Sequence, residues 1–162
     1  MPGLGQVVGS IRVALARLLA PTPQSITLSV VRGGGLQFDV TGVPAGTTRT
    51  WRDTVAAPED SVVVVLAWVS VEHGNLQSVL DPGPDTNVEL TVSVDGARIG
   101  RSLVTLRQGA AEAITCTAAI RVEPGLRRAT ASLHPFDASV KVGDHTIVSL
   151  CVPETMASIG IG

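Results

Sequence analysis

From Ser25 onward, apolar residues recur at every second position in short segments cut by turn residues, and no helical period interrupts them. Side chains of a strand alternate between faces, so a period of two commits the chain to β-structure. The segments are 25–31, 36–42, 47–55, 61–72, 87–95, 98–107, 112–122, 126–133, 137–142 and 145–152. Between them lie Gly33-Gly34-Gly35, Pro44-Ala45-Gly46, Pro58-Glu59-Asp60, Asp81-Pro82-Gly83-Pro84, Asp95-Gly96, Gln108-Gly109, Pro124-Gly125 and Gly143-Asp144. These residue types supply the backbone angles that turns need. Strands at this spacing predict a mainly β chain, an antiparallel sandwich or barrel, and leave no helices for a parallel α/β sheet. Twenty-four Val and fifteen Thr against two Phe, two Trp and no Tyr predict an aliphatic core. The length of 162 residues suits one domain with a short appendage.

That appendage is the N-terminus. Leu4, Val7, Val8, Ile11, Leu15, Leu18 and Leu19 recur at steps of three and four, with Gln6, Ser10, Arg12 and Arg17 off the stripe. This predicts a short amphipathic helix over 3–20, stopped by Pro21 and Pro23. An isolated helix of ~18 residues is marginal in water. Its stripe therefore needs a surface: its own domain, its symmetry mates or a neighbouring protein. The division expected is an attachment helix and proline hinge at 1–24, a β-sandwich at 25–153 and a tail at 154–162. A basic start is missing, and Arg12 and Arg17 break the apolar stretch, so no signal peptide is expected. No other uncharged apolar run approaches the ~20 residues of a membrane span.

Three segments are more informative. Val88, Leu90, Val92 and Val94 alternate with Glu89, Thr91, Ser93 and Asp95, and Asp95-Gly96 then predicts a type I′ hairpin. Beyond it the phase slips, which places a bulge at Gly100. Ile114, Cys116, Ala118, Ile120 and Val122 form an inward row, as do Ala129, Ala131 and Leu133. In 61–72 both faces are apolar: Val62, Val64, Leu66 and Trp68 on one, Val63, Val65, Ala67, Val69 and Val71 on the other. A strand with one wet face should alternate, so something must cover the second. The cover is the N-terminal helix or a neighbouring subunit; Val63, Val65, Val69 and Val71 are assigned to a contact between subunits, which predicts a homo-oligomer.

Chemistry is sparse. His73, His134 and His145 stand at no metal-ligand spacing and read as solvated turn residues. Cys116 and Cys151 read as buried free thiols. Gly3-Leu4-Gly5-Gln6-Val7-Val8-Gly9 lacks the preceding strand and the βαβ unit of a dinucleotide site. The Asp81-to-Asp85 stretch is a proline-stiffened turn, and Arg127-Arg128 a solvated pair. A net charge of −2 and the lack of stacking aromatics give nucleic acid no footprint. Trp68 sits in an apolar run and reads as core, which leaves Trp51 as the one aromatic available to a ligand. No catalytic residue, cofactor or metal is expected, and a metal-dependent jelly-roll enzyme would need a histidine set that is missing.

The segments TRTWRDTVAAPEDSVVVVLAWVSVEHG, VELTVSVDGARIG, VTLRQGAAEAITCTAAIRVEPGLRRATASL and VKVGDHTIVSLCVP span most of Thr47 to Pro153. They resemble the β-sandwich (jelly-roll) modules of minor tail and other virion structural proteins of tailed phages infecting actinobacteria. The resemblance implies a jelly-roll with structural or host-adhesion roles, located in the virion, with other virion proteins as partners. Likeness to jelly-rolls of the tumour-necrosis-factor type makes a trimer the leading oligomer. The competing expectation is a carbohydrate-binding or adhesin module that contacts a host-surface glycan through Trp51.

Overall fold

The computed structural model describes residues 26–33, 42–73 and 84–157. Within them run β1 (Thr27–Gly33), β2 (Arg49–Ala57), β3 (Ser61–His73), β4 (Thr86–Val94), β5 (Ala97–Leu106), β6 (Ala111–Val122), β7 (Gly125–Pro135) and β8 (Val140–Pro153), closed by a helical turn α1 (Glu154–Ala157). The strands form two antiparallel four-stranded sheets, β1-β8-β3-β6 and β2-β7-β4-β5, packed as a sandwich. Pairing follows one rule: β1 joins β8, β2 joins β7, β3 joins β6 and β4 joins β5. The strands are thus one long ribbon doubled back between β4 and β5. Rolling that ribbon sets β3 beside β8 and β4 beside β7, and those ladders close the sheets.

The doubling-back point follows the sequence closely. Asp95 and Gly96 have φ of +50° and +85°, both on the left-handed side that a type I′ turn requires. The Asp95 carboxylate accepts from the Arg128 amide at 2.9 Å and from Arg127 Nη1 at 3.1 Å, tying the hairpin to β7. Those bonds, the amide foremost, hold its carboxyl below the usual carboxylate range. The expected bulge is present: Val92 pairs with Gly100 and Ser93 with Arg98, leaving Ile99 over. Gly100 also lets the sheets close here, since a Cβ on it would lie 2.7 Å from Ala118 Cβ and 2.9 Å from Val92 Cγ2.

The core lies between the sheets. Val88, Leu90, Val92, Val94, Ala129, Ala131, Leu133 and Ile114 are buried there, as their alternation predicts. So are Val63, Val65, Ala67, Val69 and Val71, none more than 1% exposed. This corrects the assignment of Val63, Val65, Val69 and Val71 to a subunit contact: they fill the interior of their own sandwich and cannot reach another chain. The outward row of β3 is Val62, Val64, Leu66 and Trp68. A strand apolar on both faces carries no phase marker, and a slip of one residue exchanges its faces.

The end of segment 137–142, from Val140, and all of 145–152 belong to one strand, β8, and Gly143-Asp144 is not a turn. Val69 pairs with His145 and Val71 with Val142, so Ser70 alone faces two residues, a β-bulge. The Ser70 hydroxyl donates to the Asp144 carbonyl at 3.2 Å. Cys116 and Cys151 are buried free thiols on β6 and β8, the two neighbours of β3. The start of the expected tail is anchored: the Glu154 amide donates to Asp60 at 3.0 Å, and its carboxylate meets Arg121 at 3.2 Å. The helix expected at 3–20, with Leu4, Val7, Val8, Ile11, Leu15, Leu18 and Leu19, lies outside the described residues, as does nearly all of segment 36–42.

Candidate functional site

The outer faces of the two sheets differ in chemistry. Residues directly across a ladder share a face, so the register lays out the β1-β8-β3-β6 surface in rows. One row is Leu28, Leu150, Val64 and Ala119, and the next is Val30, Val148, Leu66 and Thr117. Val152 and Val62 precede them, beside Arg121; Thr146 and Trp68 follow, beside Arg32. Ile26, Leu28, Val30 and Leu66 are 52%, 60%, 45% and 36% exposed. The apolar band runs diagonally from Ile26 toward Trp68, with Arg32 and Arg121 at the other two corners. Isolated exposed aliphatics are ordinary, but a contiguous apolar sheet face marks a contact surface.

At the Trp68 end, Arg32, Gly33, Asp144, His145 and Thr146 enclose with it a shallow cavity of about 400 Å³. Gly33 permits this, because a Cβ there would lie 2.5 Å from His145 Cε1. The His145 ring stacks on Trp51, centroids 4.8 Å apart and planes tilted 30°, while Arg49 lies over the indole at 5.7 Å. Burial, and then the Arg49 charge, push the His145 imidazole below its ordinary range. The expected roles of the tryptophans are therefore exchanged. Trp51 points inward and packs against the core. Trp68 is the one on the outer surface.

The histidines are not turn residues either. His73 ends β3, is 1% exposed, and donates from Nε2 to the Pro84 carbonyl at 2.7 Å. His134 lies in β7, 3.0 Å from Thr48 Oγ1 and edge-on to Phe136. Among the described residues no three His, Cys, Asp or Glu side chains gather into a metal site. Ser29 donates to the buried Asp53 carboxylate at 2.6 Å, a bond between β1 and β2 that pins the two sheets at their margin.

The β2-β7-β4 surface is mainly polar, with Leu126, 75% exposed, in its groove. A groove of about 870 Å³ is lined by the hydroxyls of Thr50, Thr54, Thr130 and Ser132 and by Arg52, Arg127 and Arg128. Asp95, bound to Arg127 at 3.1 Å, also lines it. Arg127 is further committed to the Glu123 and Pro124 carbonyls. The inward row of Ala129, Ala131 and Leu133 leaves Arg128, Thr130 and Ser132 outward, but their meeting with Thr50, Arg52 and Thr54 depends on the pairing of distant strands.

No protein-family model matches the chain, and no curated protein does. Among solved structures it is similar to dimeric latent PorU from Porphyromonas gingivalis, with 10% identity, a TM-score of 0.41, and coverage of 78% of this chain and 13% of that one. It is similar to infectious bursal disease virus (Gx strain), with 10% identity, a TM-score of 0.45, and coverage of 75% and 33%. A carbohydrate-binding module of Cellvibrio mixtus lichenase 5A gives 13% identity, a TM-score of 0.38, and coverage of 76% and 89%. The chain thus spans a third or less of the first two. Likenesses this distant assign no activity.

Proposed function

We propose that the chain is a non-enzymatic structural module of a virus particle, an eight-stranded jelly-roll that assembles through the outer face of β1-β8-β3-β6. The observation that carries the assembly reading is the apolar band from Ile26 to Trp68. A sheet exposed on one side should be polar there, and this one is not. The order β1-β8-β3-β6 over β2-β7-β4-β5 is the winding of a jelly-roll, an architecture of capsid and lectin domains. Fold alone does not select a role; the virion setting rests on the sequence resemblance to phage tail modules. Native mass spectrometry of the purified chain tests the reading. A discrete oligomer is expected, a trimer foremost, that dissociates in a Val64→Asp variant. A wild type that is monomeric at micromolar concentration overturns it.

A second reading, a module holding a host-surface glycan, is supported by the polar groove and not by Trp51. The groove offers hydroxyls and the Arg52 and Arg128 guanidiniums but no aromatic platform. That chemistry suits a carboxylated sugar better than a neutral one. Calorimetric titration with a polyuronate is expected to register binding that Arg52→Ala removes. Heat unchanged by that substitution refutes it.

A further inference from the structure

We infer that the occupant of the apolar face is the chain's own segment 3–20, laid along β8 and β3. This rests on reading that face as a contact surface and names what covers it. Four features converge. The band begins at Ile26, one residue before the edge strand β1, so the segment is tethered at the band's starting corner. Its stripe from Leu4 to Leu19 matches the face in kind, with Arg12 and Arg17 off the stripe as Arg32 and Arg121 are off the band. The lengths agree. Eighteen helical residues span ~27 Å, and the seven residues of β1 span ~24 Å at about 3.4 Å each. A helix ~10 Å wide covers two strands spaced by about 4.8 Å, which leaves β1 and β6 as its flanks.

The linker permits the reversal. Residues 21–25 reach ~15 Å at about 3.1 Å per residue, more than the ~10 Å between packed layers. With that reach the segment can lie on its own sheet or on that of an adjoining copy. The occupant is the same in both cases. The alternative, face against face between two copies, would leave the stripe of every copy without a surface.

The test uses the full chain with a benzoylphenylalanine photo-crosslinker in place of Leu66. Irradiation followed by peptide mapping is expected to join position 66 to residues 3–20. A second full-length protein carrying Ile11→Asp as well should lose that crosslink and bind an apolar dye several-fold more strongly. Crosslinks to strand residues of another copy, or none to 3–20, overturn the inference. The mass of the joined species keeps the two readings separate. A crosslink to 3–20 within a monomer sinks the assembly reading and sustains this one; an oligomer joined sheet to sheet does the reverse.

Discussion

Val64 and Val65 are adjacent in sequence and opposite in consequence, so replacing each by Asp tests the face assignment of β3. Val65 is 0% exposed, between the sheets. A carboxylate there finds no water, and holding it protonated at pH 7 against an ordinary pKa near 3.9 costs ~4 kcal/mol at about 1.4 kcal/mol per unit. The lost burial of the valine adds roughly 1.5–3 kcal/mol. The sum, ~6 kcal/mol, is comparable to the whole stability of an ordinary domain, about 5–15 kcal/mol. Val64 lies on the outer face and is half-buried. A carboxylate there reaches water once the covering segment lifts away, so the two sheets themselves should lose no more than about 1 kcal/mol. Urea unfolding of both full-length variants, followed by circular dichroism at pH 7 and pH 4, separates the cases. At pH 4 the unfolded state of Val65→Asp is itself partly protonated, so most of its deficit should vanish, while Val64→Asp should barely change. Equal losses in the two variants, or a Val65→Asp protein as stable as wild type, would refute the placement of Val63, Val65, Val69 and Val71 in the core.

Gly100→Ala sets a methyl 2.7 Å from the Ala118 Cβ, which hangs from a strand and cannot swing aside. Overpacking of this kind should cost about 1–3 kcal/mol, read as a lowered urea midpoint, and an unchanged midpoint would remove Gly100 as the closing point of the sheets. His145 should titrate below its ordinary 6.5 in an NMR pH series. The folded state then binds the proton less well than the unfolded state, so its contribution is complete above about pH 6.5 and is lost as pH falls toward the folded pKa. His145→Asn should flatten the pH dependence of melting below about pH 6.5, and an imidazole that titrates above 6.5 would contradict the burial assigned to it.

Local patterns carried much of this fold. Val88 to Val94 alternates without exception, and Asp95-Gly96 has a turn type that few other dipeptides serve, so strand, phase and hairpin were all legible. The bulge at Gly100 showed as a slipped phase. Four things were not legible, each for a physical reason. The phase of β3 was ambiguous because both of its faces are valine-rich. Gly143-Asp144 has the composition of a turn, but the ladder to β3 continues across it, and only the partner strand reveals that one residue faces two. The histidines and tryptophans were misplaced because burial at a strand end depends on what the opposite sheet lays over it. Trp51, flanked by Thr50 and Arg52, reads as exposed until His145 arrives from β8. The groove containing Arg52 and Arg128 joins positions far apart in the chain, and no short-range period reports such a meeting.

The contrast between the two outer faces constrains how the module works. The β2-β7-β4 surface carries hydroxyls and guanidiniums and is content in water. The β1-β8-β3-β6 surface has the composition of an interior layer, so the working form should have three layers, with this sheet in the middle. The third layer must be small. Rows on one face repeat every two residues, ~6.7 Å at about 3.3 Å per residue, and the rows from Val62 to Trp68 span only three such steps, ~20 Å. Beyond them β3 continues with Ser70 and Glu72 on the same face, and Glu72 pairs with Lys141 at 3.5 Å. Arg121 and Arg32 close opposite corners. A broad flat partner would have to strip water from Arg32 and from the Arg121–Glu154 ion pair, at a cost of several kcal/mol for a charge left uncompensated. A narrow amphipathic element along the diagonal from Ile26 to Trp68 avoids both.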